Sequence, residues 1–195
     1  MRTGEQPSTP VLTGPTSINS TMRPVVTWNS VLGADRYEVR IDNLSNGQIN
    51  IVDSVATGTS LTPQIDLGIG KFVVWVRAFS SGGGLASLWS LPRYFQVKAP
   101  IVQVVTRTNA SNGLTEVSWQ ALPGAVKYDV WIDRLDVPTA QIFRNTNISG
   151  LSVTPTSLPN GGRYRVWVRG LAADGYDGAW SLAQDFVETQ VPAIT

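Results

Sequence analysis

The chain has 195 residues, 15 Lys+Arg against 14 Asp+Glu, 42% apolar side chains, and neither His nor Cys. A near-neutral, apolar-rich composition excludes a disordered tail and carries no electrostatic footprint for DNA or RNA. No apolar run approaches the roughly 18 residues of a membrane-spanning helix, and the commonest general base, the thiol nucleophile and most zinc ligands are missing.

Read from the N-terminus, Met1 to Ser8 are polar, with no secretory signal visible. Short alternating runs follow, separated by turn residues, as in an all-β sandwich. Val26 and Trp28 share one face of a strand. Tyr37, Val39 and Ile41 share another, with Glu38, Arg40 and Asp42 opposite. Phe72, Val74, Val76 and Ala78 alternate with Val73, Trp75 and Arg77, and Phe95 with Val97 closes the set. The pattern then repeats: Val117 and Trp119; Tyr128, Val130 and Ile132; Tyr164, Val166, Val168 and Gly170; then Phe186. Alternate side chains of a strand face opposite ways, so each set can line one core. Turn signals sit between the runs at Asn46-Gly47, Gly82-Gly83-Gly84, Asn112-Gly113 and Asn160-Gly161-Gly162.

The two halves are in register. Trp28 and Trp119 stand 91 positions apart, as do Gly33-Ala34 and Gly124-Ala125, Tyr37 and Tyr128, Ile41-Asp42 and Ile132-Asp133, and Trp89-Ser90 and Trp180-Ser181. Trp75-Val76-Arg77 and Trp167-Val168-Arg169 stand 92 apart. One residue is gained between Leu158 and Tyr164 and lost in the next turn, so both places are expected to be loops. The expected domains are 1–98, with a short N-terminal tail, and 99–189. Residues 190–195 repeat the junction near Lys98-Ala99-Pro100 and read as the start of a possible third unit, which favours an excerpt from a longer array. The short junction at 98–101 predicts a semi-rigid rod.

A Trp on the second strand, Gly-Ala-x-x-Tyr-x-Val, a Leu before a Gly turn, Tyr-x-Val-x-Val and a late Trp-Ser together resemble the fibronectin type III family, in the bacterial form found in tandem on secreted and surface proteins. The resemblance runs from about Pro10 to about Glu188. It implies two tandem seven-stranded immunoglobulin-like β-sandwiches with Greek-key connections, an extracellular or cell-surface location, and a module that binds or spaces and does not catalyse. The family's tyrosine corner maps onto Tyr164 in the second unit but onto Phe72 in the first. The first unit is therefore expected to hold that corner by packing alone. No Arg-Gly-Asp triplet occurs.

The outward faces carry the most chemistry. In the second unit Arg165, Trp167 and Arg169 point away from the core beside Asp129, Trp131 and Asp133; in the first, Trp75 and Arg77 stand beside Glu38 and Arg40. The candidate binding face is therefore Trp131, Trp167, Arg165, Arg169, Trp75 and Arg77. Exposed Trp is enriched at interface hot spots and suits sugar stacking. The competing reading is architectural: Trp and Arg stack as a cation–π ladder that stiffens the sheet, capped by Trp89 and Trp180.

Other motifs read as ordinary structure. Asp174-Gly175-Tyr176-Asp177-Gly178 offers only two acids, fewer than calcium loops use, and reads as a turn. Gly82-Gly83-Gly84 lacks the Gly-Lys-Ser/Thr of a phosphate loop and reads as a hairpin tip. Asn-x-Ser/Thr triplets at Asn19, Asn43, Asn109 and Asn147 are frequent by chance in such a chain. No catalytic residue, metal site or cofactor is expected. The expected function is a spacer and protein-interaction or adhesion module of a larger surface or secreted protein, its partner a protein or a polysaccharide, with no nucleic acid and no membrane span in this stretch. The alternative is a carbohydrate-binding accessory using the outward Trp/Arg face.

Overall fold

The structure, a computed structural model, describes residues 6–80, 84–101 and 103–188. Gly82-Gly83 of the expected hairpin tip, most of the polar N-terminal segment, and residues 190–195 of the expected third unit lie outside them. The chain forms two compact units, Met1–Lys98 and Ala99–Thr195. Both are built from strands alone among the described residues, so no helix there is long and apolar enough to cross a membrane.

The first unit runs β1 (Leu12–Gly14), β2 (Ile18–Asn19), β3 (Val26–Trp28), β4 (Ala34–Asn43), β5 (Val52–Ala56), β6 (Ser60–Leu61), β7 (Gly70–Ser80) and β8 (Arg93–Val97). One sheet has the order β1-β3-β6 and the other β2-β8-β7-β4-β5. The expected seven strands become eight segments because the first strand is divided. β1 pairs antiparallel with β3, and β2 pairs parallel with β8 in the opposite sheet. Pro15, between them, has no N–H to give either ladder.

The second unit runs β9 (Val104–Thr108), β10 (Thr115–Trp119), β11 (Lys127–Arg134), β12 (Thr139–Ile148), β13 (Ser152–Val153), β14 (Arg163–Leu171) and β15 (Gln184–Val187). Its sheets are ordered β13-β10-β9 and β12-β11-β14-β15. Two antiparallel sheets packed with strand neighbours of this kind form a Greek-key sandwich.

The alternating sets meet in each core. Val26, Val39, Ile41, Phe72, Val74, Val76 and Ala78 are fully buried, as are Val117, Val130, Ile132, Tyr164, Val166 and Val168. Trp28 packs on Tyr37 with ring centroids 5.4 Å apart, and Trp119 on Tyr128 at 5.3 Å. Each ring buries enough apolar area for about 4–6 kcal/mol of transfer free energy. The two tyrosines serve twice. The Tyr37 hydroxyl accepts the Val31 N–H at 2.9 Å and that of Tyr128 accepts the Leu122 N–H at 3.2 Å, fixing the chain before β4 and β11. Gly33 and Gly124, at φ +76° and +83°, make the left-handed step into those strands.

Two expectations change. Val73 lies on the outer face yet is 2% exposed, placed between Asp42 and Tyr94 on the neighbouring strands. The first unit's corner is not held by packing alone. Phe72 stacks on Phe95 at 5.4 Å, but Ser45 Oγ also accepts the Lys71 N–H at 2.9 Å, and the Leu44 N–H donates to Lys71 O. In the second unit the Tyr164 hydroxyl donates to Pro159 O at 2.5 Å while its ring stacks on Phe186.

Candidate binding faces on the outer sheets

The outer faces follow from register. In the first unit Glu38 stands opposite Arg77 and Arg40 opposite Trp75. Arg77 donates from Nε to Glu38 Oε2 at 2.7 Å, and its guanidinium covers Trp89 at 4.6 Å and Phe79 at 5.2 Å. Arg40 lies over Trp75 at 5.7 Å and is held in place by two hydrogen bonds to Asp42, Nε to Oδ1 at 3.2 Å and a terminal nitrogen to Oδ2 at 3.3 Å. Asp42 Oδ1 also accepts the N–H of Asn50, whose φ is +55°. Arg40, Trp75 and Trp89 line a shallow cleft of about 180 Å³.

In the second unit Asp129 stands opposite Arg169, Trp131 opposite Trp167, and Asp133 opposite Arg165. Asp129 is on the outer face yet has no exposed surface. Two guanidiniums roof it: Arg144 from β12, at 3.2 and 3.0 Å, and Arg169, at 3.0 Å. Burying a carboxylate is costly, and pairing of this kind offsets the cost. Arg169 also pairs with Asp177 and lies 4.5 Å over Trp180, while Arg144 lies 5.1 Å over Trp131.

Trp131 is the hub of three indoles, edge-on to Trp167 at 6.3 Å and to Trp180 at 5.9 Å. Its Nε1–H donates to Asp133 Oδ1 at 2.5 Å. With Asp133, Trp167, Trp180 and Ser181 it lines a cleft of about 250 Å³. Arg165 is drawn aside by a two-point pair with Asp185 on β15, at 2.6 and 2.9 Å, which holds the Asp185 carboxyl below its usual range. On the flank, a two-point pair from Arg134 brings Asp136 down to about 2.

The Trp-Ser pairs place the capping indoles. Ser90 N–H donates to Val76 O at 2.8 Å and its Oγ accepts the Val76 N–H at 3.1 Å; Ser181 does the same with Val168, at 2.9 and 3.1 Å. Each serine thus stands in for a strand residue beside β7 or β14 and lays the preceding Trp on the adjacent arginine.

All six candidates, Trp131, Trp167, Arg165, Arg169, Trp75 and Arg77, are half-buried on these faces. The structure joins Trp131 with Trp167 and Arg77 with Trp89, and directs Arg165 to Asp185. Alternation does not single out Arg144, because its counterpart 91 positions earlier is Asp53 and the repeat carries no trace of it. Asp174 and Asp177 of the expected turn are engaged by the Tyr176 N–H and by Arg169.

No protein-family model and no curated protein sequence matches the chain. Among solved structures it resembles a two-domain fibronectin type III segment from chicken tenascin, at 15% identity and a TM-score of 0.61, over 94% of this chain and 99% of that one. The fold is that of tandem fibronectin type III domains. The FN1-FN3 domains of chicken CNTN1 also match, at 17% identity and a TM-score of 0.39, over 97% of this chain and 68% of that one. Within this fold the Tyr164–Pro159 bond is the tyrosine corner of the second fibronectin type III unit, and Phe72 with Ser45 replaces it in the first.

Proposed function

We propose that this pair of fibronectin type III units is a non-catalytic spacer and protein-interaction module of an extracellular or cell-surface protein. The observation that carries the reading is the outer sheet face, which in both units sets half-buried Trp among paired Arg and carboxylates. Rings already held by neighbours lose little side-chain freedom on contact, which favours their use as interface anchors. The acids on these faces are largely committed to guanidiniums, which suits recognition better than proton transfer.

The test uses a photo-crosslinking side chain in place of Leu182, which is 86% exposed beside the three-indole cleft, and of Leu91, 87% exposed at the matching place in the first unit. On its native surface the chain is expected to yield discrete protein adducts, which Trp167→Ala depletes without loss of fold. Absence of such adducts overturns the reading.

The three-indole cleft favours one second reading, a carbohydrate-binding accessory with Trp131 and Trp167 stacking on sugar rings. A glycan array signal lost in Trp167→Ala would establish it in place of the first.

A further inference from the structure

The two units carry related outer-face devices that differ at two facing places, where Trp131 stands for Arg40 and Arg144 for Asp53. In the first, Arg40 provides the positive charge over Trp75, and both oxygens of Asp42 hold it. In the second, Trp131 stands at the place of Arg40, 91 positions on, while the carboxylate and the facing indole remain as Asp133 and Trp167. Asp133 Oδ1 accepts the Trp131 Nε1–H and the N–H of Gln141, whose φ of +52° mirrors Asn50. Asp133 Oδ2, the counterpart of the oxygen that holds the Arg40 terminal nitrogen, accepts no hydrogen bond among the described residues. Asp133 also has no ion pair among them, whereas Asp129, Asp136, Asp177 and Asp185 of the same unit are each paired with arginine. Arg165, opposite Asp133 in register, feels the charge of Asp133 but gives its two-point pair to Asp185.

Arg144 and Arg169 already lie over Trp131 and Trp180, at 5.1 and 4.5 Å, which leaves Trp167, the counterpart of Trp75, with no arginine over it among the described residues. We infer that the cleft of Trp131, Trp167, Trp180 and Asp133 is a receptor for an arginine side chain of a partner protein, laid on Trp167 as Arg40 is laid on Trp75 in the first unit. The cleft is larger than its counterpart, about 250 against 180 Å³. The Trp167 ring suits the flat, weakly hydrated face of a guanidinium, and Asp133 Oδ2 suits its N–H edge. A guanidinium is preferred to an ammonium because the template in the first unit is itself a stacked guanidinium. The inference rests on the protein-interaction reading and names the chemistry of the partner.

The test titrates the full chain, labelled with ¹⁵N at the indoles, with capped Gly-Arg-Gly and with the same peptide carrying Lys or Ala. Seven Trp give seven indole signals, so Trp28, Trp75, Trp89 and Trp119 serve as internal controls. The Arg peptide is expected to move Trp131, Trp167 and Trp180 saturably with a Kd of about 1–10 mM, the Lys and Ala peptides binding at least about tenfold more weakly.

Asp133→Asn keeps an acceptor for the Gln141 N–H and is expected to weaken the Arg peptide about tenfold. Trp131→Arg rebuilds the first unit's arrangement, is expected to fold, and should abolish the shifts. No saturable shift up to about 100 mM, equal shifts with the Ala peptide, a neutral oligosaccharide moving these indoles where the Arg peptide does not, or unchanged binding in folded Trp131→Arg would each overturn the inference. If the peptide is silent while protein adducts at position 182 persist, the arginine assignment fails alone. If the adducts are absent too, the interaction reading fails with it.

Discussion

Glu188 brings a carboxylate to the end of the second core. It is 1% exposed; Oε1 accepts the Thr115 N–H at 3.1 Å, and Oε2 has no partner among the described residues. Burial pushes its carboxyl up, and the Thr115 hydrogen bond only partly opposes this. The folded state therefore holds the proton more tightly than the unfolded chain. The group's contribution is fully present below the unfolded carboxylate range and is lost as pH rises through the folded value. We expect the urea midpoint of the second unit to fall as pH rises above the ordinary carboxylate range, about 4.3. Glu188→Gln should flatten that fall and raise the midpoint at neutral pH; an unchanged slope would contradict it. Alternation with Phe186 and the register with Val97, 91 positions earlier, mark position 188 as core-facing; what the pattern does not announce is a carboxylate there. The burial of Asp129 is hidden, because it depends on Arg144 crossing from β12.

Strand pairs show where sequence pattern suffices and where it does not. The faces of β4, β7, β11 and β14 follow from period-two alternation, because one face must meet the core and a slip of one residue would expose it. The corner before β7 and β14 depends on single atoms. At Gly162 an added Cβ would collide with the Tyr164 ring and hydroxyl, so the residue is small to let the ring lie across the chain. Tyr164→Phe should cost the second unit about 0.5–1.5 kcal/mol, the net worth of one hydrogen bond. Gly162→Ala should cost about 1–3 kcal/mol through overpacking. Urea unfolding checks both, and a neutral Gly162→Ala would show that the ring has room to move. The Ser45 contact at the first corner was not legible, because it depends on the path of the turn after β4.

At the scale of the molecule, the repeat near 91 residues made the two-sandwich architecture readable before any coordinates. What the repeat could not give were the exchanges inside it, Arg40 for Trp131 and Asp53 for Arg144, and these set the two outer faces apart. Each unit holds its own aromatic core, Trp28–Tyr37 and Phe72–Phe95 in one, Trp119–Tyr128 and Tyr164–Phe186 in the other. We therefore expect residues 99–195 expressed alone to give a cooperative thermal transition and a β-type circular dichroism spectrum. A random-coil spectrum would contradict this.

The serines that follow Trp89 and Trp180 have a consequence beyond placing those rings. β8 and β15 pair only with the first residues of β7 and β14, so the far half of each long strand would otherwise present bare amides to any passing chain. Ser87, Ser90 and Ser181 occupy those donors with hydroxyls, which accept a proton but offer no extended backbone on which further layers can grow. The N–H groups of the same serines fill the facing carbonyls of Ala78, Val76 and Val168, so an incoming strand would find donors and acceptors there already taken.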